Sequence, residues 1–101
     1  MSDQPVTLIN VFKVQPAKQD ALIALLRRNT ETIIRTLEGW KSTRLIAAKD
    51  GGSVFIHSEW ESSAAVEAMR RDPRMKAYFP KVLELASLES TLGSLVLSET
   101  R

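Results

Sequence analysis

The chain has 101 residues, 44% hydrophobic and 26% charged, and its 14 basic and 12 acidic side chains leave a net charge of +2. That length fits one domain, taken as residues 1–101, and so even a charge balance supplies no basic footprint for nucleic acid or an anionic membrane. The lack of cysteine excludes disulfides, thiolate metal sites and a cysteine nucleophile; with no apolar run of about 18 residues and no leader-like pattern in Met1–Pro5, the expected compartment is the cytoplasm.

Residues 6–14 are rich in β-branched and aromatic types and predict a strand. Leu8, Asn10, Phe12 and Val14 share one face of it; Thr7, Ile9, Val11 and Lys13 share the other. Pro16 suits a first helical position. Leu22, Leu25, Leu26, Ile33 and Leu37 then recur at helical spacing, predicting a helix from Pro16 to Leu37 that Gly39 stops. Trp40 to Ala48 reads as a second strand. Lys49-Asp50-Gly51-Gly52 is a hairpin signal, because tight turns need positive φ. Ser53 to Trp60 is the third strand, with Val54, Ile56, Ser58 and Trp60 on one face and Phe55, His57 and Glu59 on the other. Ser62 or Ser63 caps a short helix through Met69. Asp72-Pro73 starts another, with a stripe of Met75, Phe79, Val82, Leu83 and Ala86 that Pro80 should kink or restart. Thr91 to Ser98 is expected as the last strand.

The resulting order is βαββαβ, a ferredoxin-like α+β fold with a four-stranded antiparallel sheet and both helical layers on one face. The other face carries Ile9, Val11 and Phe55, together with one set from Leu92 to Leu97. Monomers rarely expose an apolar face of several hundred square ångströms, and a symmetric dimer is the usual cover. A homodimer is therefore expected.

The residues permit little standard chemistry. His57 is the one histidine, mid-strand, and reads as a residue of the dimer face; a histidine metal site needs more ligands than this. The carboxylates are scattered, so no metal site is expected. No glycine-rich phosphate cradle is present. An RNA-recognition sheet would carry spaced aromatics on its third strand; Ser53–His57 carries one. What remains is an apolar pocket with few polar groups, suited to a small aromatic or apolar molecule. Asn10 points towards the helices, either as a structural amide or as a donor to a ligand. Trp60 faces the same side, where core packing is the ordinary role of a lone Trp. Tyr78 and Phe79 close the cavity from the facing helix.

Glu59-Trp60-Glu61-Ser62, Ala64-Ala65, Asp72-Pro73-Arg74 and Thr36-Leu37-Glu38-Gly39-Trp40 together resemble the antibiotic biosynthesis monooxygenase family, over roughly Val6 to Ser98. The resemblance implies a dimeric α+β barrel, two sheets face to face. It implies either a cofactor-independent oxygenase of aromatic polyketides or a haem-degrading relative. Trp60 matches the family's pocket tryptophan, and Asn10 the strand-one asparagine of the haem-degrading branch. That branch's haem ligand falls at about Phe79, which cannot bind iron, so haem degradation is disfavoured. The polyketide oxygenases have an asparagine four residues before the tryptophan, where this chain has Ile56. A basic residue of their pocket falls near Phe79 as well. The reading is a cofactor-independent monooxygenase of an electron-rich aromatic or quinol-type molecule, with no cofactor. Asn10 and Trp60 are its catalytic candidates, and Phe12, Ile56, Tyr78 and Phe79 its substrate-binding ones. The alternative is a non-catalytic dimeric binding or pathway-accessory module.

Overall fold

A computed structural model describes residues 4–101; Met1–Asp3, part of the stretch examined for a leader, lie outside the described residues. Four strands form one antiparallel sheet: β1 (Val6–Val14), β2 (Trp40–Ala47), β3 (Ser53–Trp60) and β4 (Ala86–Gly93), in the order β2-β3-β1-β4. Three helices, α1 (Gln19–Thr32), α2 (Ser63–Arg71) and α3 (Pro73–Leu83), complete the ferredoxin-like α+β arrangement. Helices and sheet bury Leu8, Phe12, Leu22, Leu26, Val54, Trp60, Val66 and Val82 between them.

The register follows from the alternation of side chains. On the helix side, Leu8 pairs with Ser58 and Leu92, Asn10 with Ile56 and Ser90, and Phe12 with Val54 and Leu88. On the bare side, Val11 pairs with Phe55 and Glu89, and Phe55 with Ile46. Local chemistry sets the element ends. Ser62 Oγ accepts from Ala65 N at 3.1 Å to start α2, and Asp72 Oδ1 accepts from Arg74 N at 2.8 Å to start α3. Gly51 turns the β2–β3 hairpin at φ +81°, with Asp50 Oδ1 accepting from Gly52 N at 2.8 Å.

Four expectations change. The first long helix is a 3₁₀ turn at Pro16–Lys18, then α1, then a second 3₁₀ turn at Ile34–Thr36. Pro80 does not restart the helix: it is exposed, and α3 runs unbroken from Pro73 to Leu83. Leu83 is 60% exposed and Ala86 opens β4, so neither belongs to the helix's buried stripe. The last strand is Ala86–Gly93 rather than Thr91–Ser98. Pairing with β1 already reaches Thr7 at Gly93, so almost no template strand remains for Leu95 to Leu97. Consequently β4 contributes Ser87, Glu89 and Thr91 to the bare face, not the leucines expected there. Leu95, Val96 and Leu97 lie beyond the sheet, 67%, 94% and 72% exposed.

Candidate functional site

The inward face of β1 reads Leu8, Asn10, Phe12, and the amide in the middle splits the core. Leu8 packs with Ile34, Trp60, Val66, Met69 and Met75. Phe12 packs with Val14, Leu22, Leu26, Val54 and Val82. Tyr78 of α3 touches both groups. Between them a cavity opens, floored by the sheet and roofed by α1 and α3. It is lined by all six predicted residues: Asn10, Phe12, Ile56, Trp60, Tyr78 and Phe79.

Each strand sends one polar side chain inward near this split: Thr43 from β2, Ser58 from β3, Asn10 from β1 and Ser90 from β4. Three of them already accept a hydrogen bond, and Ser90 donates one. Thr43 Oγ1 accepts from Trp40 Nε1 at 2.8 Å, and Ser58 Oγ accepts from Trp60 Nε1 at 3.1 Å. Asn10 Oδ1 accepts from Ser90 Oγ at 2.5 Å. A hydroxyl that has accepted an N–H keeps its own proton for another partner, and an amide whose oxygen is bonded keeps two N–H donors. Thr43, Ser58 and Asn10, which all line the cavity, therefore turn donors towards it. Trp60 does the reverse. It is 1% exposed with its N–H committed to Ser58, so it contributes a flat apolar wall and no free donor.

Across the cavity stands Asn29 of α1, 6% exposed. Its Nδ2 donates to Met75 Sδ at 3.5 Å, while its Oδ1 is buried without a partner among the described residues. A thioether sulfur only accepts, which fixes the amide's orientation. The cavity lining holds no carboxylate, histidine, lysine or arginine among the described residues. Its one titratable group is the Tyr78 phenol, which burial pushes well above the usual tyrosine range. Tyr78 thus stays protonated near neutrality, a hydrogen-bond donor rather than a base. Tyr78 and Phe79 meet at tilted rings, centroids 5.7 Å apart.

The void open to a water centre is about 50 Å³. Typical ligand pockets run to about 300–1,000 Å³, so a ring system enters only if side chains swing aside. Met69 and Met75 in the wall are suited to that, being unbranched and polarisable.

Asn29, Thr43 and Ser58 are the site residues that the sequence reading did not single out. Parity along the strands already placed Ser58 on the Trp60 face. Asn29 falls at helical spacing within the Leu22, Leu26, Ile33 stripe, a polar residue in an apolar row. His57, by contrast, is exposed on the bare face, away from the cavity. No cluster of three His, Cys, Asp or Glu that could hold a metal occurs among the described residues. No helix of the described residues is long and apolar enough to cross a membrane.

A family described as antibiotic biosynthesis monooxygenase matches residues 5–81. The tetracenomycin-F1 monooxygenase of Streptomyces glaucescens is 40% identical over 73 residues, which are 72% of this chain and 65% of that protein. Among solved structures, Rv0793 of Mycobacterium tuberculosis superposes with a TM-score of 0.82 at 27% identity, over 96% of this chain and 100% of that one. SnoaB of Streptomyces nogalater, described as a cofactor-independent oxygenase, gives a TM-score of 0.79 at 19% identity over 94% and 96% of the two chains, a likeness of fold.

Proposed function

The chain belongs to the antibiotic biosynthesis monooxygenase family, and from that membership we propose that it is a cofactor-independent monooxygenase of a phenolic or enolisable aromatic. The observation that carries this reading is the polarity of the cavity: donors from Thr43, Ser58 and Asn10 facing into apolar walls. Such a floor stabilises an oxyanion, and does so more strongly where water is excluded. A bound phenol or enol is thereby acidified. With no base in the wall, the proton passes to bulk solvent at the cavity mouth as the substrate enters, and the anion becomes the electron donor to O₂. For an anthrone-type substrate, the ring CH₂ supplies two hydrogens and four electrons. One oxygen atom ends as the new carbonyl and the other as water, so the balance needs no further reductant.

The roles follow from placement. Asn10 orients the substrate oxygen. Its pairing partner Ile56 holds the position where the resemblance implies an asparagine, so the amide is supplied by the adjacent strand. Trp60, Phe12, Ile56 and Phe79 shape and dry the cavity, and Tyr78 donates a hydrogen bond without taking a proton. Purified protein supplied with an anthrone and hydroquinone panel should consume O₂, with the rate falling at least tenfold in Asn10→Ala and in Trp60→Phe. Oxygen consumption no higher than buffer across the panel would remove the enzyme reading.

The second reading, a binding or accessory module, is favoured by the lack of any base in the cavity lining among the described residues. It predicts a rise in melting temperature with the same compounds, following mass action, without turnover. In either reading a second copy of the chain is proposed to cover the bare face of the sheet, where Ile9, Val11, Phe55 and Ile46 gather.

A further inference from the structure

Outside the cavity, α1 and α3 bound a groove of about 340 Å³. Three of its lining residues are cations: Arg28, Arg74 and Lys81. No carboxylate lines it among the described residues. Arg74 is tied to Asp72, Nη2 to Oδ2 at 3.0 Å, whereas Arg28 and Lys81 form no ion pair among the described residues. The groove and the inner cavity share one wall, made by Asn29 and Tyr78. That wall contains the buried Asn29 Oδ1 that no described group satisfies. Buried polar atoms are nearly always paired in folded proteins, so this oxygen is an acceptor open to a water or to a ligand group.

We propose that the groove is an outer subsite for the carboxylate of an aromatic hydroxy acid, whose ring passes the Asn29–Tyr78 wall and gives its hydroxyl to Asn29 Oδ1. This rests on the inner cavity being a ligand pocket and adds the class of ligand. The two unpaired cations draw the carboxylate and keep it solvated, as suits a charge that gains little from burial. Tyr78, a neutral donor, faces the same passage. The ring then lies against Trp60 and Phe79.

The test is calorimetric binding of three probes: 4-hydroxy-2-naphthoate, 4-hydroxy-2-naphthamide and 2-naphthoate. The hydroxy acid should bind about tenfold tighter than its amide at low salt, the scale expected of two or three exposed charge pairs. The preference should shrink towards parity in high salt, because surface charges are screened. The hydroxy acid should also beat 2-naphthoate. In Arg28→Gln/Lys81→Gln the acid-over-amide preference should vanish while the amide's affinity stays unchanged. In Asn29→Leu the hydroxyl preference should vanish while the charge preference stays.

Equal binding of acid and amide to the wild type would overturn the subsite and leave the inner pocket standing. A charge preference that survives Arg28→Gln/Lys81→Gln would also overturn it. Binding of none of the three would overturn the subsite and the pocket reading together.

Discussion

At the scale of single residues, Ser58 has two duties and the first can be measured directly. It accepts the indole N–H of a tryptophan that is 1% exposed. Ser58→Ala strands that donor, which costs about 1–3 kcal/mol, visible as a lower urea midpoint with an unchanged slope. A midpoint equal to wild type would mean that the indole finds another partner, and the donor floor would lose its stated geometry. Asp72 supplies a second test. Hydrogen bonds from the Arg74 side chain and then its backbone N–H, with charge attraction adding, hold its carboxyl below the usual carboxylate range. A carboxyl depressed on folding stabilises above its unfolded pKa, and that stability is lost as pH falls through the folded value. The melting-temperature advantage of wild type over Asp72→Ala should therefore be full at pH 7 and shrink steadily below about pH 4. A gap constant down to pH 2 would show that the charge is irrelevant to the cap. Both residues were legible in part. The cap was readable because Asp-Pro has a local mechanism. The Ser58–Trp60 bond was not, because parity says which way a side chain points but not whether an indole two residues on will fold back to it.

At the scale of elements, the joints are set by sterics. Gly39 enters β2 at φ +87°, and a Cβ there would lie 2.5 Å from the Ala65 Cβ of α2. Gly39→Ala should cost about 2–5 kcal/mol, backbone strain and overpacking together. Ala65→Gly alone weakens α2 by about 1 kcal/mol, yet in the Gly39→Ala background it should relieve the clash and restore part of the loss. A double-mutant cycle in chemical denaturation with no coupling would show that the helix shifts freely and that the joint is not steric. This glycine was visible in the sequence as a helix stop, but its reason lies about 26 residues away in another helix. The last strand shows the opposite failure. The leucine and valine run from Leu92 to Leu97 has strong β propensity, and Ala86 continues the helical spacing of α3, so both cues moved the strand towards the C-terminal side. What fixed it was a non-local limit: β1 pairs with β4 from Val14 at Ala86 to Thr7 at Gly93. Propensity on a strand is settled by its neighbour, and a single chain read in order does not disclose which neighbour runs out first.

At the scale of the whole molecule, two apolar surfaces among the described residues bear on assembly. The first is the bare face, where Ile46 is 44% exposed beside Phe55 and Val11. The second is the segment after β4, where Leu95, Val96 and Leu97 stand out from the fold. Leu95 lies beside Thr7, Lys41 and Glu59, at one end of the bare face, with the Ile9–His57–Arg44 row between it and the Val11–Phe55–Ile46 row. Together they make the homodimer read from Ile9, Val11 and Phe55 the economical cover, although β4 adds polar groups rather than leucines to the face itself. Phe55→Asp is the obvious probe, but Phe55 is half-buried within the protomer, and its loss could unfold the chain before it separates two copies. Val96 is cleaner. At 94% exposure it contributes almost nothing to the protomer's own core, so Val96→Asp should leave the protomer's fold, read by circular dichroism, unchanged. Sedimentation at micromolar concentration should give twice the chain mass for the wild type. For Val96→Asp the dimer should weaken about tenfold or more, the consequence of placing a charge in an apolar contact worth roughly 1–3 kcal/mol. If the wild type dimerises and Val96→Asp dimerises equally well, the tail is not in the interface and the sheet face carries it alone. If the wild type sediments as a stable monomer, the bare face is covered by something other than a second copy.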